Sequence, residues 1–230
     1  MSIRATIEKS GLAFRGGFHP TQDDGVPGDA GTVLLVGCAG ALGWNAFATA
    51  PEAHDGAPDP LDRWSRRVID ALAARLGGVA LYPFGGPPWL PFQAWARRAE
   101  PVASSPLGLL IHPVWGLWHS YRGAVALAER IALAPPAPAP SPCETCAGRP
   151  CLTACPVGAF GAQGYNVAAC ATHLFAPEGA ACMTLGCAAR RACPVGAAHR
   201  HDAAQAAFHM RAFRAARTAA ITPSQSPGRA

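Results

Sequence analysis

Charge is scarce in this chain: only 14% of its 230 residues are Asp, Glu, Lys or Arg, while 50% are hydrophobic. That balance excludes an intrinsically disordered chain, because so much apolar surface can be buried in a sizeable core. Long apolar runs are missing too. No segment approaches the roughly 20 apolar residues of a membrane-spanning helix, and Met1 to Phe18 has scattered charges and no run long enough for a signal peptide. A cytoplasmic location with no membrane partner is expected. Nor are aromatics interleaved with the arginines. Arg63, Arg66 and Arg67, and again Arg211, Arg214 and Arg217, read as solvated helix faces rather than as a track for single strands. The formal net charge of +5 is therefore poor ground for a nucleic-acid partner, and none is expected.

Cysteine, by contrast, is plentiful and unevenly placed. Eight of the nine lie between Cys143 and Cys193, in two runs that each close on Cys-Pro-Val-Gly-Ala. The first is Cys143-x2-Cys146-x4-Cys151-x3-Cys155-Pro156; the second comprises Cys170, Cys182, Cys187 and Cys193-Pro194. Two 4Fe-4S clusters need eight thiolates. Three on one short segment can reach three corners of a cube, and in two-cluster ferredoxins the Cys before Pro serves the other cluster. By that analogy Cys143, Cys146 and Cys151 hold one cluster with Cys193, while Cys170, Cys182 and Cys187 hold a second with Cys155. Both runs depart from the usual bacterial spacing, which leaves two residues between its second and third Cys where Ala147 to Pro150 stand here. Zinc sites and a disulfide framework are the alternatives, since Cys-x2-Cys followed by further cysteines is also zinc spacing. Closing each run on Cys-Pro has a role in cluster crossing and none in a zinc knuckle. Eight thiolates around two cores of about +2 each would add about −4, leaving the loaded protein near neutral. Cys38, far from the others, reads as a small buried hydrophobe.

The run Pro135 to Pro142 is proline at five of eight positions and cannot form a helix or a central strand. It divides an expected first domain, residues 1–134, from a cluster domain, residues 143–200, followed by a helix over 201–217 and a loose tail over 218–230. In the first domain, Thr32 to Gly37 suits a buried strand and Leu42 to Ala48 a short helix. Asp59-Pro60 supplies an N-cap and a first-turn proline, after which Leu61, Trp64, Val68, Leu72 and Leu76 recur at helical spacing up to Gly77-Gly78. Val79 to Tyr82, Leu107 to Ile111 and Trp118 to Leu127 have strand character, with a helix over Pro91 to Ala99. Asp202 can cap the last helix, with Phe208 and Phe213 near its inward side. An α+β fold follows.

Gly108 to Gly123 contains the string Ile-His-Pro-x2-Gly-x-Trp-x3-Arg-Gly. This string is similar to one in the cobalamin-processing chaperone of the type C methylmalonic aciduria family. Phe18-His19-Pro20, Asp59-Pro60-Leu61-Asp62 and Leu81-Tyr82-Pro83 occur in matching order, so that the resemblance covers about residues 15 to 134. The cluster segment resembles the ferredoxin-like part of epoxyqueuosine reductases and reductive dehalogenases, cobalamin enzymes on a related, modified nitroreductase fold. The resemblance implies a nitroreductase-like sheet-and-helix domain with a corrinoid in an open pocket, followed by a ferredoxin-like domain carrying two clusters. It further implies His112, Trp118, Arg122, Gly85 and Gly86 as pocket residues. In the processing chaperone the Arg of the Arg-Gly pair helps to hold glutathione, and Arg122 occupies that place.

Three absences shape the expected chemistry. No Asp-x-His-x2-Gly string is present, through which cobalamin-dependent mutases put a histidine on cobalt. The turn Phe84-Gly85-Gly86-Pro87 has no acid where epoxyqueuosine reductases carry a proton-donating Asp, and no repeat domain for transfer RNA follows. The leading expectation is a corrinoid-processing reductase or chaperone that removes the upper ligand of cobalamin, fed by an external donor such as a flavoprotein or a ferredoxin reductase. A cobalamin-dependent reductase of an organic substrate and a plain ferredoxin-type electron carrier are the alternatives. Singly, His112 reads equally as a hydrogen-bonded structural histidine, Trp118 as core, Arg122 as half of an internal salt bridge, and Gly85 and Gly86 as turn glycines. No catalytic residue is assigned.

Overall fold

In the computed structural model, which describes residues 2–221, the chain is α+β and divides into two compact units. The first comprises the chain up to Ser104, Leu110–Thr145 and Val195–His199; the second comprises Ser105–Leu109, Cys146–Pro194 and the chain from Arg200 onward.

The first unit is built on strand β2, Thr32–Ala39, whose eight residues are all buried. A strand buried along its whole length must be covered on both faces and flanked on both edges. It lies between β1 (Ala13–Phe18) and β6 (His119–Leu127), with β3 (Val79–Leu81) beyond β6, all antiparallel. Alternation then sorts the side chains. Val33 and Leu35 join Phe18, Leu81, Ala124 and Ala126 against Phe92, Trp95, Ala96 and Ala99 of α4 (Phe92–Ala99). On the opposite face Val36 pairs with Gly123, against which Ile69 of α3 (Pro60–Leu76) lies. A Cβ on Gly123 would stand 2.7 Å from the Ile69 methyl, and one on Gly37, at the β2/β6 register shift, only 1.9 Å from the Ser120 carbonyl oxygen. Helix α1 (Ile3–Lys9) buries Ile7, and the short α2 (Trp44–Ala48) sets Phe47 edge-on to Trp64 at 5.9 Å.

The expected strands at 32–37, 79–82 and 118–127 and the helices at 42–48, 60–76 and 91–99 are present within a residue or two. Two details differ. Asp59 precedes α3 in the left-handed region at φ 49° and its side chain makes no capping bond; Pro60 at the first position and Gly77 in αL carry the boundaries. Of 107–111 only β5 (Leu110–Ile111) is a strand, paired with β4 (Ala103–Ser104) outside the main sheet. The cause is a turn: Ser105 N–H donates to Leu109 and Gly108 N–H to Ser105, with Gly108 at φ +73°. The proline run forms neither helix nor strand.

The second unit contains the hairpin β7 (Phe160–Gly161) and β8 (Gly164–Tyr165), then α5 (Val167–Phe175), α6 (Ala180–Leu185), α7 (Ala188–Arg191) and α8 (Ala203–Ile221). Asp202 caps α8 as expected, its carboxylate accepting from Gln205 N–H at 2.7 Å. The helix continues to Ile221 rather than ending near Arg217; of the expected loose tail, residues 222–230 lie outside the described residues. Among the described residues no helix is long and apolar enough to cross a membrane.

The arginine faces are not simply solvated. Arg63 pairs with Asp55 and Arg67 with Glu52, while Arg66 lies 4.5 Å from the Tyr82 ring centroid. Arg214 lies over Phe175 and Arg217 over Phe213. These five guanidiniums each cover a ring or close an ion pair, while Arg66, Arg67 and Arg211 are exposed as a solvated face requires.

Candidate metal and cofactor site

All nine cysteines are free thiols. Cys38 is buried in the first unit, and burial pushes its thiol up, as suits a small hydrophobe. Of the remaining eight, Cys143 falls in the first unit and seven in the second.

These seven sort into two sets by which thiols act on which. Cys151 is pushed up by burial and then by the charges of Cys193 and Cys146. Cys170 is pushed up by burial and by Cys155 and Cys182, and Cys187 by burial and by Cys170 and Cys182. Cys193 thus neighbours the first run, and Cys155 the second. Among the described residues no three His, Cys, Asp or Glu groups converge as they would around one metal ion.

Local structure supplies donors to these sulfurs. Ala159 N–H donates to Cys155 Sγ at 3.3 Å, within the turn that leads into β7. Cys187, just before α7, accepts from Ala189 and Arg190 N–H, and Cys170 accepts from the Tyr165 hydroxyl. Cys151 accepts from Leu152 N–H. Burial lowers Arg190 to about 10, opposed by the Cys187 charge. His201 is held down to about 3 by burial and then by Arg190 and His209. For Cys151, Cys170 and Cys187 these donors favour the thiolate that metal ligation needs, but burial outweighs them and leaves the three thiols above the ordinary value.

The five expected corrinoid-pocket residues all lie in the first unit. His112 closes a tight loop: its backbone exchanges hydrogen bonds with Gly116 at 2.8 and 2.9 Å, and its Nδ1 accepts from Val114 and Trp115 N–H. Burial pushes its pKa down. The ring is therefore neutral with its proton on Nε2, and it serves first as a loop brace. Trp118 is buried. Arg122 donates through Nε to Ser65 Oγ at 2.9 Å and pairs with Asp62, so α3 and β6 are tied together through it. Gly85 has φ +82°, and a Cβ on Gly86 would stand 2.8 Å from the Pro88 carbonyl oxygen.

Two features of the first unit escaped the sequence reading. The first is a buried polar network. Arg15, 1% exposed, grips the Glu100 carboxylate through Nε and Nη2, donates to the Cys38 carbonyl and reaches His119 Nδ1 at 3.1 Å. Tyr121 donates to the same carboxylate at 2.8 Å, and its hydroxyl is pushed up by burial and then by Glu100. The second is a close backbone approach. A Cβ on Gly116 would meet the Val195 carbonyl oxygen at 2.0 Å, one on Gly196 would meet Trp115 at 2.4 Å, and the Trp115 and His199 rings stand 4.4 Å apart. The repeated Cys-Pro-Val-Gly-Ala phrase was the available signal, but nothing in it says what its glycine faces. Comparison with protein-family models, with curated proteins and with solved structures finds no match.

Proposed function

We propose that this chain is an iron-sulfur protein carrying two 4Fe-4S clusters, and that it acts as a corrinoid-processing reductase, removing the upper ligand of a bound cobalamin. The observation that carries the cluster reading is the crossed neighbourhood of the thiols, Cys193 beside Cys146 and Cys151, and Cys155 beside Cys170 and Cys182. The ligand sets would be Cys143, Cys146, Cys151 and Cys193, and Cys155, Cys170, Cys182 and Cys187. Bound there, such clusters supply single electrons. The chain's own part is to set eight sulfurs close enough in sequence for two runs to be cross-linked, with donors at Cys151, Cys155, Cys170 and Cys187.

The corrinoid half of the reading rests on the resemblance over residues 15 to 134. Its chemistry balances with one electron from an external flavoprotein or ferredoxin reductase: cyanocob(III)alamin plus an electron gives cob(II)alamin, and cyanide leaves with the bonding pair. The finer fold assignment, a nitroreductase-like domain followed by a ferredoxin-like one, belongs to the same proposal. One observation favours the electron-carrier reading instead, the engagement of Arg122 with Asp62 and Ser65, which occupies the guanidinium expected to face a ligand.

The experiment is anaerobic reconstitution followed by titration with cyanocobalamin. About eight iron and eight sulfide per chain are expected, together with a shift of the corrinoid spectrum and its decyanation by dithionite without glutathione. Iron-free protein overturns the whole reading. Loaded protein with no corrinoid shift leaves the electron carrier.

A further inference from the structure

Among the arginines of α3, Arg66 stands apart. Arg63 closes on Asp55 and Arg67 on Glu52, but the two carboxylates one turn to either side of Arg66 are turned to other partners. Asp62 pairs with Arg122, and Asp70 accepts from the Tyr82 hydroxyl. Among the described residues the exposed Arg66 guanidinium meets no acceptor; it lies over two rings, 4.5 Å from the Tyr82 centroid and 5.5 Å from that of Phe84. Those rings, 5.1 Å apart and tilted by 36°, support a flat cation whose five N–H donors are unspent. The turn after β3 brings an aromatic face to the same place. Gly85 has φ +82°, and a Cβ on it would stand 3.3 Å from Arg66 Nη2, while a Cβ on Gly86 would stand 3.0 Å from Cε3 of Trp89. Guanidinium and indole thus lie against consecutive residues, whose Cα atoms are about 3.8 Å apart. Trp89 is 66% exposed, whereas the other tryptophans are buried or half-buried. One exposed tryptophan is ordinary; beside an unspent guanidinium, on a turn stiffened by Pro83, Pro87 and Pro88, it is half of a recognition pair.

We propose that Arg66 and Trp89 form a binding site for a mononucleotide, the phosphate held by the guanidinium and the base stacked on the indole. A guanidinium fork matches two phosphate oxygens, and an indole face accepts the flat surface of any base. Charge decides in favour of a single phosphate. Only one cation is unspent here, with the carboxylates of Asp62 and Asp70 one turn away on the same helix, and Arg122 cannot form a second clamp because its Nε and Nη2 serve Ser65 and Asp62. The site depends on neither the clusters nor a corrinoid.

The test is equilibrium dialysis of the full chain against adenosine monophosphate, adenosine and inorganic phosphate, with tryptophan fluorescence read alongside. The nucleotide should bind at least about tenfold more tightly than either fragment and quench the emission of the exposed indole. Arg66→Gln should weaken the nucleotide about tenfold and leave adenosine unchanged. Arg66→Lys, which keeps the charge without the fork, should recover only part of that loss. Trp89→Leu should weaken nucleotide and adenosine by about tenfold, leave phosphate unchanged and abolish the quenching. Because Trp89 is exposed, this variant decides the matter if Arg66→Gln fails to fold. No binding of the nucleotide by the parent, a nucleotide bound no better than phosphate or adenosine, or an affinity unmoved by both substitutions overturns the proposal, and the cluster and corrinoid readings stand or fall without it.

Discussion

In the first unit Trp64, Trp95, Phe47 and Ile69 are withdrawn from water around a fully buried strand, whereas in the second the only large apolar side chains so withdrawn among the described residues are Leu107 and Leu174. The rest of the second unit's buried apolar positions are Ala159, Ala171, Ala189, Ala206, Cys182 and Cys193. All six tryptophans of the chain belong to the first unit. Alanine and cysteine bury little area, at roughly 25 cal/mol per Å², so hydrophobic burial that suffices for one unit falls short for the other. A small unit in that position gains stability from covalent or metal staples, which the proposed clusters would supply through its seven thiols. The difference between the units is thus an argument for the cluster reading that is independent of cysteine spacing.

The largest effect expected breaks the second unit and spares the first. Stripping iron from the reconstituted protein with a chelator under oxidising conditions should unfold α5 to α8, seen as lost helical circular dichroism and as proteolysis between Cys146 and Pro194. Tryptophan fluorescence, which reports the first unit alone, should hardly change. A protein that keeps its full helical signal without iron would remove the contrast.

Next in size is a change confined to the first unit. Glu100→Ala leaves Arg15 buried without its carboxylate, and stability measured by tryptophan fluorescence should fall by about 3–5 kcal/mol with iron content unaffected. Arg122→Met should cost only about 1 kcal/mol, because Asp62, its ion-pair partner, is 36% exposed. Its affinity for cyanocobalamin should stay within a few-fold of the parent, and a larger loss would give the guanidinium a ligand to hold as well as α3.

The smallest effect is on pH response. Buried His201 sits at about 3 in the folded chain against an ordinary 6.5. A lowered folded value means stability that is fully present above 6.5 and declines as pH falls toward 3, because the unfolded chain takes up the proton first. Between pH 6.5 and 5 the second unit of the loaded protein should weaken, and His201→Asn should flatten that slope relative to the parent. In the first unit Glu52 is drawn from 4.5 down to about 2 by the hydrogen bond from Arg67. Its contribution is lost only as pH falls below 4.5 toward 2, so over the same interval the first unit should stay level.

How far the sequence could be read differs between the same two regions. The central strand was legible because Val33 to Val36 is an unbroken apolar run, and α3 because a first-turn proline and a terminal glycine bracket a 3.6-residue pattern. The run Leu107 to Ile111 misled, because its apolar content looks strand-like while Gly108 and Ser105 close a turn within it. Arg15 was illegible: an arginine two residues after Ala13 gives no hint that Glu100, 85 positions later, will meet it out of water. In the second unit the cysteine runs announced a thiol-rich site, but which donors reach which sulfur depends on a hairpin of two-residue strands too short to leave a pattern.

What the sequence by itself determined is everything carried by local covalent and periodic constraints: the buried strand, the bracketed helices, the proline run and the grouping of eight cysteines. The two identical Cys-Pro-Val-Gly-Ala phrases mark where that ends. Gly158 in the first faces open space, while Gly196 in the second is pressed against Trp115 and Gly116. Only the tertiary structure could separate them, because a local sequence sets the conformation a segment can adopt, whereas its neighbours are chosen by residues far away in the chain.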